Sequence, residues 1–262
     1  MNHECGSRRG LLAAILAVVV LAAGPTMAGQ AMNPDADEIL RSMSSFLGGT
    51  KAFSVTMDIS NEIITKEGEK LQFNSQGTLL FQRPSRFYAT RQGRFADVEM
   101  FYDGKTVTIY GKNLKAYFQQ DVAGTTDDAF STIEGTMGID LAGTDLLVAN
   151  PYAALTEEVT SSGYYGTDYV QGVECHHLSF RAGKVDWQLW VRTGDEPLPM
   201  KYVITSKWTT GAPQYSVQLT NWNLKPVIAA DRFTFAAPAG SEKLETLPVD
   251  ECGEITERTE VK

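Results

Sequence analysis

The chain has 262 residues and a formal net charge of −9, from 32 acidic and 23 basic side chains. A surface of that sign repels phosphate backbones and offers no basic face to anionic lipid. That argues against nucleic-acid binding and against electrostatic adsorption to a membrane, but not against holding single lipid molecules in a pocket.

The first residues read as an address. Arg8 and Arg9 form a basic start, and Leu11 to Ala23 is an unbroken run of small and aliphatic residues. Gly24-Pro25 breaks it, and Thr26-Met27-Ala28 places small side chains where a leader peptidase needs them. The 13-residue apolar run is shorter than the about 20 residues that span a bilayer. Residues 1–28 are therefore expected to be a cleaved signal peptide, with the mature chain starting at Gly29, or at Met32 if Gly29-Gln30-Ala31 is the recognised site. Cys5 lies upstream of the apolar run, so the exported product is expected to be periplasmic and not a lipoprotein. Losing Arg8, Arg9 and Glu4 leaves 21 basic and 31 acidic residues, a mature net charge of −10. Cys175 and Cys252 are the cysteines that survive cleavage. In an oxidising compartment they are a candidate disulfide, whose geometry the sequence does not supply.

One helix opens the mature chain. In "NPDADEILRSMSSFLGG" the apolar Ile39, Leu40, Met43, Phe46 and Leu47 recur at helical spacing, Asn33 can cap the start, Pro34 fits the first turn and Gly48-Gly49 ends it. Strands follow. "FSVTMDIS" puts Phe53, Val55, Met57 and Ile59 on one face. "LQFNSQGTLLF" does the same for Leu71, Phe73, Leu79 and Phe81. The alternation marks antiparallel strands with one wet face and one covered. "KEGE" and the Asp103-Gly104 pair read as hairpin turns. Further strands read at about 86–91, 96–102, 105–110 and 115–119.

Between residues 125 and 150 the period changes. Phe130, Ile133 and Met137 form a helical stripe, and Leu146, Leu147 and Val148 a second cluster that Pro151 is expected to end. Gly135, Gly138 and Gly143 each cost a helix interior about 1 kcal/mol relative to alanine. This insert is expected to be a movable lid on a floor of Val55, Met57, Phe73, Trp187, Leu189 and Ile204. Strands resume near 163–170, 173–181, 184–192, 199–208, 214–224 and 232–235. Residues 241–262 read as a polar, loose tail. The domain plan is thus a single unit, 29–240, followed by that tail.

"VECHHLSFRAGKVDWQLWV", residues 173–191, concentrates the chemically conspicuous side chains. In a strand His176 and His177 point to opposite faces and cannot chelate together. Cys175 and His177 share a face about 7 Å apart, too far for a thiol and its base. With no further histidine in the mature chain, the ligand count falls short of a zinc site, and no metal and no cofactor are expected. No Gly-x-Ser-x-Gly elbow or phosphate-cradling loop occurs. An enzyme would need polar groups converging on the concave face, with His176, Tyr202 and Asp186 the first to inspect. The expectation is that the chain is not an enzyme.

The order of segments carries a resemblance. "FSVTMDI", "FQRPSRF", "FYDGKTVTIY" and "YFQ" are followed by "VQGVECHHLSF", "DWQLWV", "EPLPMKYVIT", "PQYSVQLTNWNL" and "FTFAAPAG". Over most of residues 33–240 this resembles a family of uncharacterised predicted periplasmic proteins, a domain of unknown function placed among the Lol-type lipoprotein carriers. The resemblance implies a mainly β fold: a strongly curved antiparallel half-barrel of about eleven strands with helices on its concave side. It also implies that the concavity holds an acyl chain of a lipid or lipoprotein. It brings no catalytic residues to map. The candidate ligand-binding residues are accordingly those of the apolar face and lid: Val55, Met57, Phe73, Phe130, Ile133, Met137, Trp187, Leu189, Tyr202 and Ile204. The alternative is a non-enzymatic sensor or interaction module that binds a periplasmic or envelope protein. The two differ in where apolar surface stays uncovered, inside a pocket or as an outer patch.

Overall fold

The structure is a computed structural model, and it describes residues 32–249 and 255. The signal-peptide reading and Cys252 lie outside the described residues. Helix α1 (Pro34–Gly49) leads into six strands: β1 (Ala52–Ile64), β2 (Lys70–Gln82), β3 (Arg86–Gly93), β4 (Asp97–Tyr102), β5 (Thr106–Gly111) and β6 (Ala116–Asp121). The helical insert holds α2 (Thr126–Gly135), a single 3-10 turn at Thr144–Leu146, and α3 (Pro151–Thr156). Five strands return: β7 (Val159–Val170), β8 (Val173–Ala182), β9 (Val185–Arg192), β10 (Pro199–Ser206) and β11 (Gln214–Asn223). A two-residue β12 (Glu242–Lys243) closes the series.

All twelve form one curved, open sheet in the order β12-β6-β5-β4-β3-β2-β1-β11-β10-β9-β8-β7. The expected half-barrel of eleven strands is present, with β12 added in parallel beside β6. The sheet is two antiparallel meanders joined at its centre, where β1 pairs with β11 from Ser54↔Asn223 to Asn61↔Tyr215. Because β6 and β7 lie towards opposite edges, the chain between them has to cross the concave side. Topology, more than helix propensity, places the insert there.

The concave face carries the main core. Phe53, Val55 and Ile59 of β1 meet Leu79 and Phe81 of β2 and Val217 and Leu219 of β11, all buried. At Gly77 β3 leaves no room for a side chain on β2: a Cβ there would stand 2.1 Å from the Thr90 carbonyl oxygen. Glycine in a strand marks such an approach. Helix α1 buries Ala36, Leu40, Met43 and Leu47. The Asn33 side chain accepts from the Ala36 amide at 3.0 Å, and the Asn33 amide donates to Ser162 Oγ at 2.8 Å, tying the helix start to β7.

Three expectations are corrected. Pro151 begins α3 rather than ending the second helix. Its missing amide suits the first helical position, and Asn150 caps it by accepting from the Ala153 amide at 3.2 Å. The expected strand at 232–235 is a turn segment on the convex face. There Phe235 packs on Phe101, Tyr110 and Tyr117 with ring centroids 5.0–5.7 Å apart, and the Arg232 guanidinium lies 3.8 Å above the Tyr88 ring. Its alternating aromatics reflect one-sided packing without strand pairing. The start of the tail is also engaged: the Glu242 amide donates to the Lys115 carbonyl at 2.9 Å, and Leu247, Val249 and Ile255 pack against the core.

Candidate functional site

Between the concave face and the insert lies a cavity of about 590 Å³, within the size range of small-molecule sites. Its floor is apolar: Val55, Met57 and Ile59 of β1, Leu79 of β2, Val98 and Met100 of β4, Ile204 of β10 and Leu219 of β11. Leu47 of α1 and Phe130 of α2 form part of its walls, residues 139–147 its roof, and Ile255 contributes from the C-terminal segment.

The insert is pinned at its base and irregular at its tip. The Thr126 amide donates to the Pro84 carbonyl at 2.8 Å, and both Asp127 carboxylate oxygens accept from the Ala149 amide at 3.1 Å. Arg83 Nη1 donates to the carbonyls of Leu147 and Val148 at 2.9 and 3.1 Å. Phe130 stacks on Phe87 at 5.4 Å and Phe81 at 6.4 Å. Between these anchors residues 136–143 form no helix or strand and turn through Gly138 and Gly143, at φ +70° and +91°, conformations open to glycine.

Of the ten candidate residues, Val55, Met57, Phe130 and Ile204 line this cavity. Ile133 and Leu189 are wholly buried in the core, and Met137 packs against it. Trp187 stacks on Phe180 at 3.9 Å and meets Tyr202 edge-on at 5.7 Å, so those two are core as well. Phe73 lies outside the lining and packs on Phe95 at 4.9 Å. The stripe of α2 therefore rests on β2 and β3 at Phe81 and Phe87, while Trp187 and Leu189 face the part of the concavity that α1 covers.

Strand alternation alone misses Trp222. In β11 two residues, Asn221 and Trp222, stand opposite one in β1, and Asn221 adopts φ +53°. This bulge changes which side the following residue faces. Trp222 consequently lines the cavity, its Nε1 donating to the Pro199 carbonyl at 3.2 Å. A Thr-Asn-Trp-Asn run carries little signal for a bulge.

Acidic groups cluster at the roof. Glu134, Asp140 and Asp145 all line the cavity. Burial raises the Asp145 carboxyl above its ordinary value, with no hydrogen bond or cation among the described residues offsetting it. Glu134, near the mouth, is raised by desolvation and then by Asp140 and Asp145. Burial also raises the Tyr202 phenol, with Asp145 adding to the effect.

The Cys-His-His stretch is built into the sheet. His176 Nδ1 is 3.1 Å from the Tyr164 hydroxyl on the concave side. On the convex side His177 stacks on Trp190 at 4.2 Å, with its Nε2 3.0 Å from Gln188 Oε1. Burial pushes the Cys175 thiol up to about 11, which suits a packed side chain and not a nucleophile. Among the described residues no three His, Cys, Asp or Glu side chains gather in a metal-binding group. Asp186, paired with Lys207 at 3.1 Å, points away from the face bearing Tyr202, so the three polar residues that an enzyme reading would inspect first do not converge.

A family described as "Predicted periplasmic protein (DUF2092)" matches residues 36–247. The chain belongs to this family. No curated protein matches the chain. Among solved structures, family resemblance gives way to likeness of outline. LprF from Mycobacterium bovis is 16% identical with a TM-score of 0.49, the match covering 78% of this chain and 99% of that one. An uncharacterized conserved protein from Thermus thermophilus is 10% identical at 0.48, covering 80% and 98%. MucB is 16% identical at 0.46, covering 78% of this chain and 64% of its own.

Proposed function

We propose that this member of the family is a non-catalytic binding protein of the periplasm that holds a hydrophobic ligand, a lipid or the acyl chain of a lipoprotein, between the concave face and the insert. The single observation that carries the reading is the cavity of about 590 Å³ with its apolar floor. Burying a hydrocarbon arm there gains about 0.8 kcal/mol per methylene, which over a long chain offsets the cost of ordering it. Val55, Met57, Phe130 and Ile204 are the contacts; Ile133, Met137, Trp187, Leu189 and Tyr202 belong to the core beside them, and Phe73 lies apart. Export with cleavage after Ala28 and a life free of a lipid anchor belong to the same proposal. So does the absence of a dedicated cofactor.

The partner-binding alternative has one observation in its favour. Tyr165 and Tyr169 stand 68% and 66% exposed on the edge strand β7, a place where another chain could add. Two side chains on an edge are a smaller apolar surface than the enclosed one, and the ligand-binding reading is the stronger.

Native mass spectrometry of protein purified gently from its own periplasm tests it. An adduct that extracts into organic solvent is expected, and Met57→Trp, which fills the floor, should abolish it while leaving the fold intact. A chain that is bare in every preparation, and equally bare as Met57→Trp, would remove the reading.

A further inference from the structure

Three hairpins of the sheet end together. The pairing of Ile64 with Lys70, of Asn61 with Tyr215 and of Val185 with Ser206 puts the β1–β2, β10–β11 and β8–β9 turns at one end of the sheet. Contacts between the turns tie them side by side. Lys70 Nζ donates to the Ala212 carbonyl at 3.5 Å, the Lys207 amide to the Lys184 carbonyl at 3.1 Å, and Lys207 Nζ to the Ala182 carbonyl at 2.9 Å. On this platform stands Trp208, at 81% exposure the barest aromatic side chain among the described residues. Its Nε1 donates to the Gly183 carbonyl at 3.0 Å, so the one polar atom of the indole is satisfied while most of the ring faces water. The same end continues the floor of the cavity. Leu71 and Phe73 follow Leu79 on the concave face of β2, and Leu71 is 40% exposed. Phe73 packs on Phe95 of the β3–β4 turn at 4.9 Å. The cavity lining itself reaches the turns at Glu62, Val185, Ser206 and Pro213.

Resting on the ligand-binding reading, we propose that this end of the sheet docks on a lipid bilayer, with Trp208 at the level of the head groups and Leu71 and Phe73 towards the acyl chains. A lipid then passes between bilayer and cavity along apolar side chains instead of through water. The chemistry favours a bilayer over a protein partner. An indole with an apolar body and a satisfied polar edge suits the membrane interface, where tryptophan concentrates. The apolar groups come from separate turns, and a fluid surface conforms to such relief, whereas a protein partner needs a close-packed complement. Charge agrees. Residues 62–70, 184–186 and 206–213 carry four lysines and four carboxylates in a chain of net charge −9. Two of the pairs are closed, Lys70 with Glu62 and Lys207 with Asp186, each at 3.1 Å. This end is therefore balanced, and an anionic leaflet does not repel it. Continuity with the cavity supplies the last argument, because the surface that is docked is also the source of the ligand.

Flotation with vesicles of phosphatidylethanolamine and phosphatidylglycerol tests the docking, and titration with dansylundecanoic acid below its micelle concentration tests the cavity. The parent is expected to float with the vesicles, and Trp208→Ser to partition about tenfold less, with Leu71→Gln between them. Both positions are exposed, and both variants should melt level with the parent. From solution the fatty acid should bind the parent and Trp208→Ser equally, whereas its uptake from loaded vesicles should slow in the variant. If Trp208→Ser floats as well as the parent, or the parent does not float, the docking inference falls while the cavity reading stands on the titration. If Trp208→Ser also loses the fatty acid in solution, Trp208 acts on the cavity itself and the docking inference falls. If the parent binds no fatty acid, the cavity reading falls and takes the inference with it.

Discussion

The concave face is roofed twice, and the two roofs behave differently. Over β7–β9, helix α1 sets Leu40, Met43 and Leu47 into a surface made by Leu178, Phe180, Trp187 and Leu189, all at most 4% exposed. Helix α3 locks against it: the Tyr152 hydroxyl donates to Asp37 at 2.6 Å, and Arg41 pairs with the same carboxylate at 2.8 Å. These contacts hold the Asp37 carboxyl below its usual range, the Tyr152 hydrogen bond foremost and Arg41 next. Over β1–β4 and β10–β11 the cover is the loop of residues 136–147, with glycines where a helix would have side chains, and a cavity remains. One sheet face thus becomes filled core where its cover is helical and hollow where its cover is loop. What makes the site is a local deficit of side-chain volume over one part of the face.

The comparison is broken most sharply by matched truncations. Leu40→Ala, in the filled half, should cost about 2–5 kcal/mol, whereas Leu141→Ala, in the loop, should cost less than about 1 kcal/mol. Urea unfolding of the two variants checks this, and equal losses would mean that the loop is packed as firmly as α1. A smaller effect is expected from unpinning the loop. Arg83→Met removes the donor to the Leu147 and Val148 carbonyls and should cost about 1–3 kcal/mol, with amide exchange rising across 136–149 and unchanged in α1. The smallest effect sharpens the comparison through pH. With its carboxyl raised in the fold, Asp145 contributes stability that is full below the unfolded pKa and is lost as pH rises through the folded one. Asp145→Asn should therefore melt about 2 °C above the parent near pH 7 and level with it below about pH 4. Asp37, whose shift is in the opposite direction, contributes stability present above its unfolded pKa and lost as pH falls through the folded one.

Most of the fold was legible in the sequence because most strands have one wet face. Phe53, Val55, Met57 and Ile59 alternate with polar neighbours, and the Asp103-Gly104 turn uses its own carboxylate, which accepts from the Lys105 and Thr106 amides at 2.9 Å. Local chemistry of that kind can be read without a partner in view. The site was legible only in part because its boundary is set by partners distant in the chain. Nothing in "DWQLWV" distinguishes a tryptophan under α1 from one over open space, so Trp187 and Leu189 looked the same as Val55 and Met57. Trp222 was hidden by a bulge, and the spacing of Glu134, Asp140 and Asp145 along the insert gives no sign that all three line one cavity. Pro151 shows the limit of a single-residue signal, for it can stop a helix or start one, and Asn150 decides which.

The seam between β1 and β11 has a consequence for how the protein folds. Apart from this seam and the two-residue β12 beside β6, every pairing joins strands adjacent in sequence, so each meander can assemble through short loop closures. The seam joins Ser54–Asn61 to Tyr215–Asn223, and closing so long a loop carries a larger entropic penalty that pairing repays late. Val55, Met57, Ile59, Val217, Leu219 and Trp222 all belong to that seam and to the cavity lining. The floor on which a ligand would rest is thus expected to be the last part of the sheet to exist, and a refolding chain should acquire its two meanders before it acquires a binding site.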